Sequence, residues 1–247
     1  MSFFIFLLGL IVGSFLNVCI YRIPRRLSII FPFSYCPCCE KRLVWSDLIP
    51  LLSFILLRGR CRYCAMPIPW RYPVVEMLSG LVFLSLFRLY GFDPMLLQLL
   101  VLTCILIVVT FTDLEHMFIP DRVIVFGLLS GLVLKLITGH SLVDAIFGMM
   151  LGGGIILSIS FLSNGGMGGG DIKLGILIGL FLGWRLVLPA LFGATLGAAL
   201  VGVVLMIFGL KHRKDLIPFG PFMALGTMIS IIWGPTLIEW YFSCFLR

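Results

Sequence analysis

The chain has 247 residues, of which 61% are hydrophobic and 12% charged, and its mean hydropathy is +1.17. This composition excludes an ordinary soluble globular domain and predicts that lipid surrounds most of the chain. The net charge of +7 would suggest a nucleic-acid partner in a soluble protein. Here the basic residues lie beside apolar segments, so we expect no nucleic-acid binding.

Eight apolar segments are each predicted to form a membrane-spanning helix, because about 20 helical residues cross the hydrocarbon core. Their predicted bounds are 2–21, 73–91, 95–112, 121–138, 143–163, 171–184, 186–209 and 219–245. The first segment lacks a basic start and a convincing cleavage site, which favours a membrane anchor over a secretory signal. The sequence therefore predicts an all-α polytopic membrane protein.

Basic residues are concentrated in the first and last predicted loops. The last loop contains Lys211, Arg213 and Lys214, whereas the loops on the other side contain few basic residues. Because basic loops tend to stay in the cytoplasm, both of these loops are predicted to be cytoplasmic. With eight spans, both termini then lie on the outer side of the membrane.

Three parts are predicted along the chain: a first transmembrane helix at 1–21, a cytoplasmic polar segment at 22–72 and a seven-helix membrane domain at 73–247. The polar segment contains five of the eight cysteines. A segment of this size buries too little apolar surface to fold securely alone, so we expect a structural metal or docking onto the membrane helices. Its stretch from Asp47 to Phe54 is apolar enough to lie against the bilayer surface.

Two Cys-x-x-Cys pairs lie in this polar segment, Cys36 with Cys39 and Cys61 with Cys64. Each pair forms a short turn that can direct two thiolates at one ion, and two such turns complete a tetrahedral structural zinc site. The reducing cytoplasm argues against disulfides. Reduced thiols without metal, or a redox pair, are the alternatives, and Cys38 could replace Cys39 as a ligand.

Two carboxylates lie at the ends of predicted spans, where ionisable groups are costly and therefore indicate function. Asp113 ends the third span and Asp171 begins the sixth, and the predicted topology places both at the cytoplasmic face. If helix packing brings them together they share a proton, so that the ionised one activates water and the protonated one polarises a scissile carbonyl, as in aspartic proteases. The alternative is helix capping or a charge at the membrane border, and for Asp171 alone capping is at least as good an explanation.

Glycines precede Asp171 and recur in the later spans. Gly169 and Gly170 are predicted to let a substrate backbone come close, because a residue without a side chain permits such an approach. Together with Lys173 they are the candidate substrate- or cofactor-binding residues. The glycines at 152–154, 193 and 197 are predicted to allow close helix packing instead.

Two other functions remain open at this point. A proton- or ion-coupled transporter also uses membrane carboxylates and glycine-broken helices, although its carboxylates would lie near the midplane rather than at one face. A non-catalytic assembly factor could use a zinc module to bind a cytoplasmic partner. That function leaves the pairing of Asp113 with Asp171 unexplained.

Six motifs occur in a specific order along nearly the whole chain. They are Gly13-Ser14-Phe15-Leu16-Asn17-Val18 with Tyr21-Arg22-Ile23-Pro24, the two Cys-x-x-Cys pairs, Arg71-Tyr72-Pro73-Val74-Val75-Glu76, Asp113 with Pro120-Asp121, Gly169-Gly170-Asp171-Ile172-Lys173, and Ile217-Pro218-Phe219-Gly220-Pro221-Phe222. In these motifs and their order the chain resembles the bacterial type IV prepilin peptidases of type IV pilus and type II secretion systems.

This resemblance implies an eight-helix intramembrane aspartic peptidase with Asp113 and Asp171 as its catalytic residues. Such enzymes cut the short basic leader of prepilins and pseudopilins after a glycine, at the cytoplasmic face of the bacterial inner membrane. They then methylate the new N-terminal amine with S-adenosylmethionine, an activity that no motif of this chain indicates independently. The four paired cysteines fall on the family's zinc positions, whereas Cys38 and the short segment between Pro24 and Cys36 depart from its pattern.

Overall fold

The computed structural model describes residues 1–163, 167–212 and 216–245. Arg213 and Lys214, two of the basic residues used for the topology prediction, lie outside the described residues. Within the described ranges the regular structure is helical, with no strand beyond two isolated β-bridges. The predicted all-α class is therefore confirmed.

Eight α-helices and one 3-10 turn are described. The helices are α1 (Ser2–Arg22), α2 (Leu52–Leu56), α3 (Arg71–Tyr90), α4 (Pro94–His116), α5 (Asp121–Thr138), α6 (Leu142–Leu162), α7 (Gly169–Ile207) and α8 (Gly220–Phe245), and the turn is Trp45–Leu48. All eight predicted spans fall on helices, and α2 is a short additional helix within the polar segment.

Six of the described helices are long and apolar enough to cross a membrane, namely α1, α3, α4, α6, α7 and α8. The number is below eight for two reasons. The predicted spans 171–184 and 186–209 both lie within the range of α7, which contains two helical segments separated by a kink where Gly183 adopts φ 73° and ψ 179°, a conformation that glycine adopts without strain. Helix α5 coincides with the predicted span 121–138, but its 18 residues contain the three charges of Asp121, Arg122 and Lys135.

The chain forms two compact units, Met1–Val108 and Val109–Arg247. In the first unit, α1 packs closely on α3 through glycine. A Cβ on Gly9 would lie 2.7 Å from the Gly80 Cα, and one on Gly13 would lie 2.8 Å from the Glu76 Cα. Small residues of this kind let helix backbones approach in lipid.

The polar segment is attached to these helices by hydrogen bonds. The backbone amide of Leu51 donates to Glu76 Oε2 of α3 at 2.9 Å. Beside this contact, Asn17 Nδ2 of α1 donates to the carbonyl of Tyr72 in the first turn of α3 at 3.1 Å and joins the two helices. Arg22, at the end of α1, donates to two further carbonyls of the segment. The expected docking of this segment onto membrane helices is thus present.

In the second unit, glycines of α6 face glycines of α7. A Cβ on Gly148 would overlap the Gly179 carbonyl oxygen, and one on Gly152 would overlap that of Gly175. On each helix the two glycines are four residues apart, a spacing that is typical of close helix contacts in membranes. Gly154 has only open space beside it, so the packing prediction was wrong for that glycine because it lies on the outer face of α6.

We expect Gly152→Ala to lower the apparent melting temperature of the purified chain in detergent. The added methyl group would push α6 away from the Gly175 carbonyl, and overpacking of this kind costs about 1–3 kcal/mol. Gly154→Ala makes the same chemical change on the same helix but meets open space, so it should be neutral or slightly stabilising. Scanning fluorimetry that gave equal losses for both variants would contradict this packing.

Candidate active site and metal site

The two carboxylates predicted from the sequence lie together in the second unit. Asp113 lies in the last turn of α4 and Asp171 in the first turn of α7. The two residues are only 5% and 9% exposed, and an electrostatic interaction links their carboxylates. The fold therefore brings two acidic residues that are 58 positions apart in sequence (171 minus 113) within electrostatic range of each other.

Asp113 is held by the start of α8. The backbone amide of Gly220, the first residue of that helix, donates to Asp113 Oδ2 at 2.8 Å. The free amides at a helix start favour an anion. A Cβ on Gly220 would lie 2.9 Å from the same oxygen, so the absence of a side chain at this position permits the contact.

Asp171 is held by the turn that precedes its own helix. The Gly168 amide donates to Asp171 Oδ2 at 3.1 Å, which is a capping contact at the start of α7. The capping alternative is therefore correct as a description of this oxygen. Within the described part of the chain, Oδ1 of neither aspartate accepts a hydrogen bond, which leaves one oxygen of each carboxylate available to water or a substrate.

The other candidate residues near Asp171 have different surroundings. Gly169 is exposed and has open space where a side chain would be, whereas a Cβ on Gly170 would lie 3.1 Å from the Ile119 side chain. Lys173 Nζ lies 2.6 Å from Asp121 Oδ1 in an exposed ion pair. Gly169 thus provides room beside the turn, Gly170 provides close packing, and Lys173 contacts a carboxylate other than the buried pair.

Gly220 is the site residue that sequence reasoning missed. Its peptide, Pro218-Phe219-Gly220-Pro221, was recognised only as part of the family resemblance. Proline beside glycine at the beginning of an apolar segment does indicate a helix start. It does not indicate which carboxylate, 107 residues away, receives the amide.

In the first unit, Cys36, Cys39, Cys61 and Cys64 form a single cluster. Their Sγ atoms all lie within 4.8 Å of one another, and those of Cys36 and Cys64 are 3.8 Å apart. Four thiolates around a tetrahedral zinc ion at a Zn–S distance of about 2.3 Å would be roughly 3.8 Å apart. The cluster therefore fits zinc binding.

Two similar hairpins present these thiols. The amide of the first cysteine in each pair donates to the carbonyl five residues later, at 3.0 Å for Cys36 and 2.8 Å for Cys61. The residue after each second cysteine, Glu40 in one hairpin and Ala65 in the other, has a φ of 56°. The same turn thus occurs twice, and each copy directs two sulfur atoms into the cluster.

The local backbone also favours the ligand form of one thiol. Hydrogen bonds from the backbone amides of Cys64 and Tyr63 lower the pKa of the Cys61 thiol to about 7, and the thiolate is the form that binds metal. Cys38 is exposed and lies outside the cluster. The described geometry therefore places the sulfur of Cys39, rather than that of Cys38, in the cluster.

Comparison with known proteins covers both units of the chain. Residues 7–90 match the bacterial peptidase A24 N-terminal domain, and residues 100–207 match the type IV leader peptidase family. No solved structure matches the chain at a significant level.

Several curated relatives are similar over most of their length, and each is named prepilin leader peptidase/N-methyltransferase. The relative from Aeromonas hydrophila is 35% identical over 98% of this chain and 94% of its own length. The relative from Bacillus subtilis is 35% identical over 96% of both chains, and that from Myxococcus xanthus is 40% identical over 83% of this chain and 63% of its own length. The resemblance inferred from the six motifs is confirmed, and the chain belongs to the type IV leader peptidase family.

Proposed function

We propose that this chain is an intramembrane aspartic endopeptidase that removes the leader of type IV prepilins and pseudopilins and then methylates the new N-terminal amine. The proposed peptidase activity rests on the two buried residues Asp113 and Asp171, each of which accepts a hydrogen bond from a backbone amide through one carboxylate oxygen. The names of the relatives support the substrate class.

The chemistry follows from two neighbouring carboxylates that share one proton. The ionised carboxylate removes a proton from water, whose oxygen attacks the carbonyl carbon of the glycine before the cut. The protonated carboxyl group hydrogen-bonds to that carbonyl oxygen. When the tetrahedral intermediate collapses, the C–N bond breaks and the departing amine takes up a proton from the pair. The open space at Gly169 is suited to an extended substrate backbone.

Six apolar helices and the family support a multi-pass protein of the bacterial inner membrane. We propose that the basic polar segment, the cysteine cluster and the ends of α4 and α7 that carry the aspartates face the cytoplasm, as the distribution of basic residues predicts. Both termini would then lie on the outer side. Cleavage would take place at the cytoplasmic face, where the basic leader of the substrate lies.

The methyl-transfer activity is supported by the names of the relatives. S-adenosylmethionine would supply the methyl group to the amine that cleavage releases, and we assign no residue to this cofactor. Zinc is proposed as the resident metal of Cys36, Cys39, Cys61 and Cys64. Because so short a polar segment gains much of its stability from metal binding, its role would be structural.

We expect both Asp113→Asn and Asp171→Asn to abolish leader cleavage by the purified chain in detergent. Removal of an acid–base partner typically lowers the rate by roughly 10²–10⁴-fold. Because each variant also loses the shared proton, the rate loss of both should lie at the upper end of this range. Mass spectrometry of a prepilin-type substrate measures cleavage. Full activity of either variant would refute the paired mechanism.

The matched control is Asp93→Asn. Asp93 caps the start of α4 through a hydrogen bond from the Met95 amide at 2.7 Å, a contact that asparagine can also make, so this variant should cleave normally. A substrate supplied without its leader, together with S-adenosylmethionine, separates the two activities. Methylation of that substrate by the aspartate variants would show that they are folded and that only the peptidase activity is lost.

We expect Gly220→Ala to lower kcat while leaving KM nearly unchanged. The added Cβ would lie 2.9 Å from Asp113 Oδ2 and would displace the carboxylate, and a misplacement of about 1 Å can cost roughly 10²-fold in rate. Gly202→Ala is the control, because its Cβ would make an ordinary 3.7 Å contact with Ile217. Steady-state kinetics that showed equal kcat for both variants would contradict a positioning role for Gly220.

We expect Cys39→Ser to lose bound zinc and Cys38→Ser to retain one ion per chain. The two cysteines are adjacent, yet only the Cys39 sulfur belongs to the cluster. Elemental analysis after purification under reducing, chelator-free conditions measures the metal. Wild-type protein without zinc would reject the metal site, and loss of zinc from Cys38→Ser would reject this ligand set.

A further inference from the structure

An apolar patch is exposed on the polar segment, outside every candidate span. It consists of Leu52, Ile55 and Leu56 of α2 together with Trp70, which are 56%, 70%, 73% and 74% exposed. Scattered apolar residues are common on protein surfaces, whereas a cluster of large ones indicates an interaction surface. Because this patch is not part of a membrane-spanning helix, the hydrocarbon core does not by itself account for it.

The patch borders a groove of about 770 Å³. Ile55 and Trp70 line this groove, and the Phe54 ring packs on Trp70 with ring centroids 5.1 Å apart. Leu51 also lines it, and its amide is bonded to Glu76 of α3. The groove is therefore a formed feature that is attached to the start of a membrane helix.

The position of the groove follows from chain connectivity. Trp70 immediately precedes Arg71, the first residue of α3, and Pro73 in the first turn of that helix also lines the groove. Since α3 is a candidate membrane span, the groove lies where the chain enters the bilayer. Tryptophan is enriched at this level of a membrane because its ring is apolar and its N–H is polar.

The charge of the groove is positive. Residues 22–72 contain nine basic and two acidic side chains, and one of the two acids, Asp47, is paired with Arg62 at 2.6 Å. Arg58 and Arg60 line the groove, and no carboxylate of the described residues lies within 4.0 Å of either guanidinium group. Guanidinium groups match phosphate oxygens in both charge and geometry.

We propose that this groove binds the head group of an anionic phospholipid, with the phosphate held by Arg58 and Arg60 and the apolar patch inserted at the bilayer surface. Position and charge together identify this partner, because the site combines apolar side chains, tryptophan and unpaired arginines at the start of a span. Arg60 directly precedes Cys61. Lipid binding would therefore hold the second cysteine hairpin against the membrane.

The first test measures binding of phosphatidylglycerol and phosphatidylcholine to the full chain in detergent by native mass spectrometry. Wild type should bind its first phosphatidylglycerol molecule more tightly than its first phosphatidylcholine molecule. Arg58→Gln with Arg60→Gln should weaken phosphatidylglycerol binding by about tenfold or more, because each basic side chain at an anionic membrane surface contributes roughly a fivefold effect. An unchanged affinity would overturn the proposal.

The matched control is Lys41→Gln with Arg42→Gln. It removes the same charge from the same polar segment, but these residues do not line the groove, so phosphatidylglycerol affinity should change by no more than about twofold. Equal losses in both double variants would show general charge attraction and would overturn the proposed site. All variants are compared at equal zinc content, which ensures that the segment is folded.

The second test locates Trp70 in lipid nanodiscs that contain one copy of the chain. The fluorescence difference between wild type and Trp70→Phe isolates the emission of this residue from that of the other four tryptophans. Phosphatidylcholine brominated on its acyl chains should quench this emission, and aqueous iodide should not. Quenching by iodide alone would place the patch in water, available to a protein partner, and would overturn lipid insertion.

Discussion

The burial of charged side chains in lipid-spanning helices is the constraint on which the second unit depends. Hydrocarbon offers no hydrogen bonds, so a buried carboxylate at the end of a membrane span needs a donor from the protein. Backbone amides of glycine supply it here, from Gly220 to Asp113 and from Gly168 to Asp171. Since both amides belong to helix starts, the partial positive charge of the helix end also favours the acid it contacts.

Those helix starts depend in turn on close packing between helices. Glycines of α6 and α7 face each other, and on α8 a Cβ at Gly226 would overlap the Ala190 carbonyl of α7 and lie 2.6 Å from the Ala194 amide. In lipid the attraction between helices comes mainly from close van der Waals contact rather than from the hydrophobic effect. Small residues along α7 therefore maintain the short distances that position the carboxylate at its start.

In the first unit the constraint is size, because the polar segment is too small to form a substantial core of its own. The four clustered thiols provide one attachment within the segment. Hydrogen bonds to Glu76 and from Arg22 provide others, which connect it to α3 and α1. Both residues belong to motifs that carry the family resemblance, and the structure gives them a role in holding the segment on its helices.

Several properties of this protein were determined by sequence alone, because they depend on local pattern. Long apolar runs require helices in lipid, and the spacing of Cys36, Cys39, Cys61 and Cys64 is sufficient to predict two short turns that can present four thiols to one ion. The acidic residues at span ends could be recognised by their cost in a membrane. Their pairing was a hypothesis until the fold brought Asp113 and Asp171 together, and their catalytic role remains a proposal.

Other properties were decided only by the tertiary structure. The Gly220 amide, the Lys173–Asp121 ion pair, the open face at Gly154 and the kink of α7 at Gly183 all depend on how distant segments pack or on one backbone conformation. A linear pattern shows which residues are small, charged or apolar. It does not contain the distances between helices, and those distances determine which amide meets a carboxylate and which glycine faces lipid.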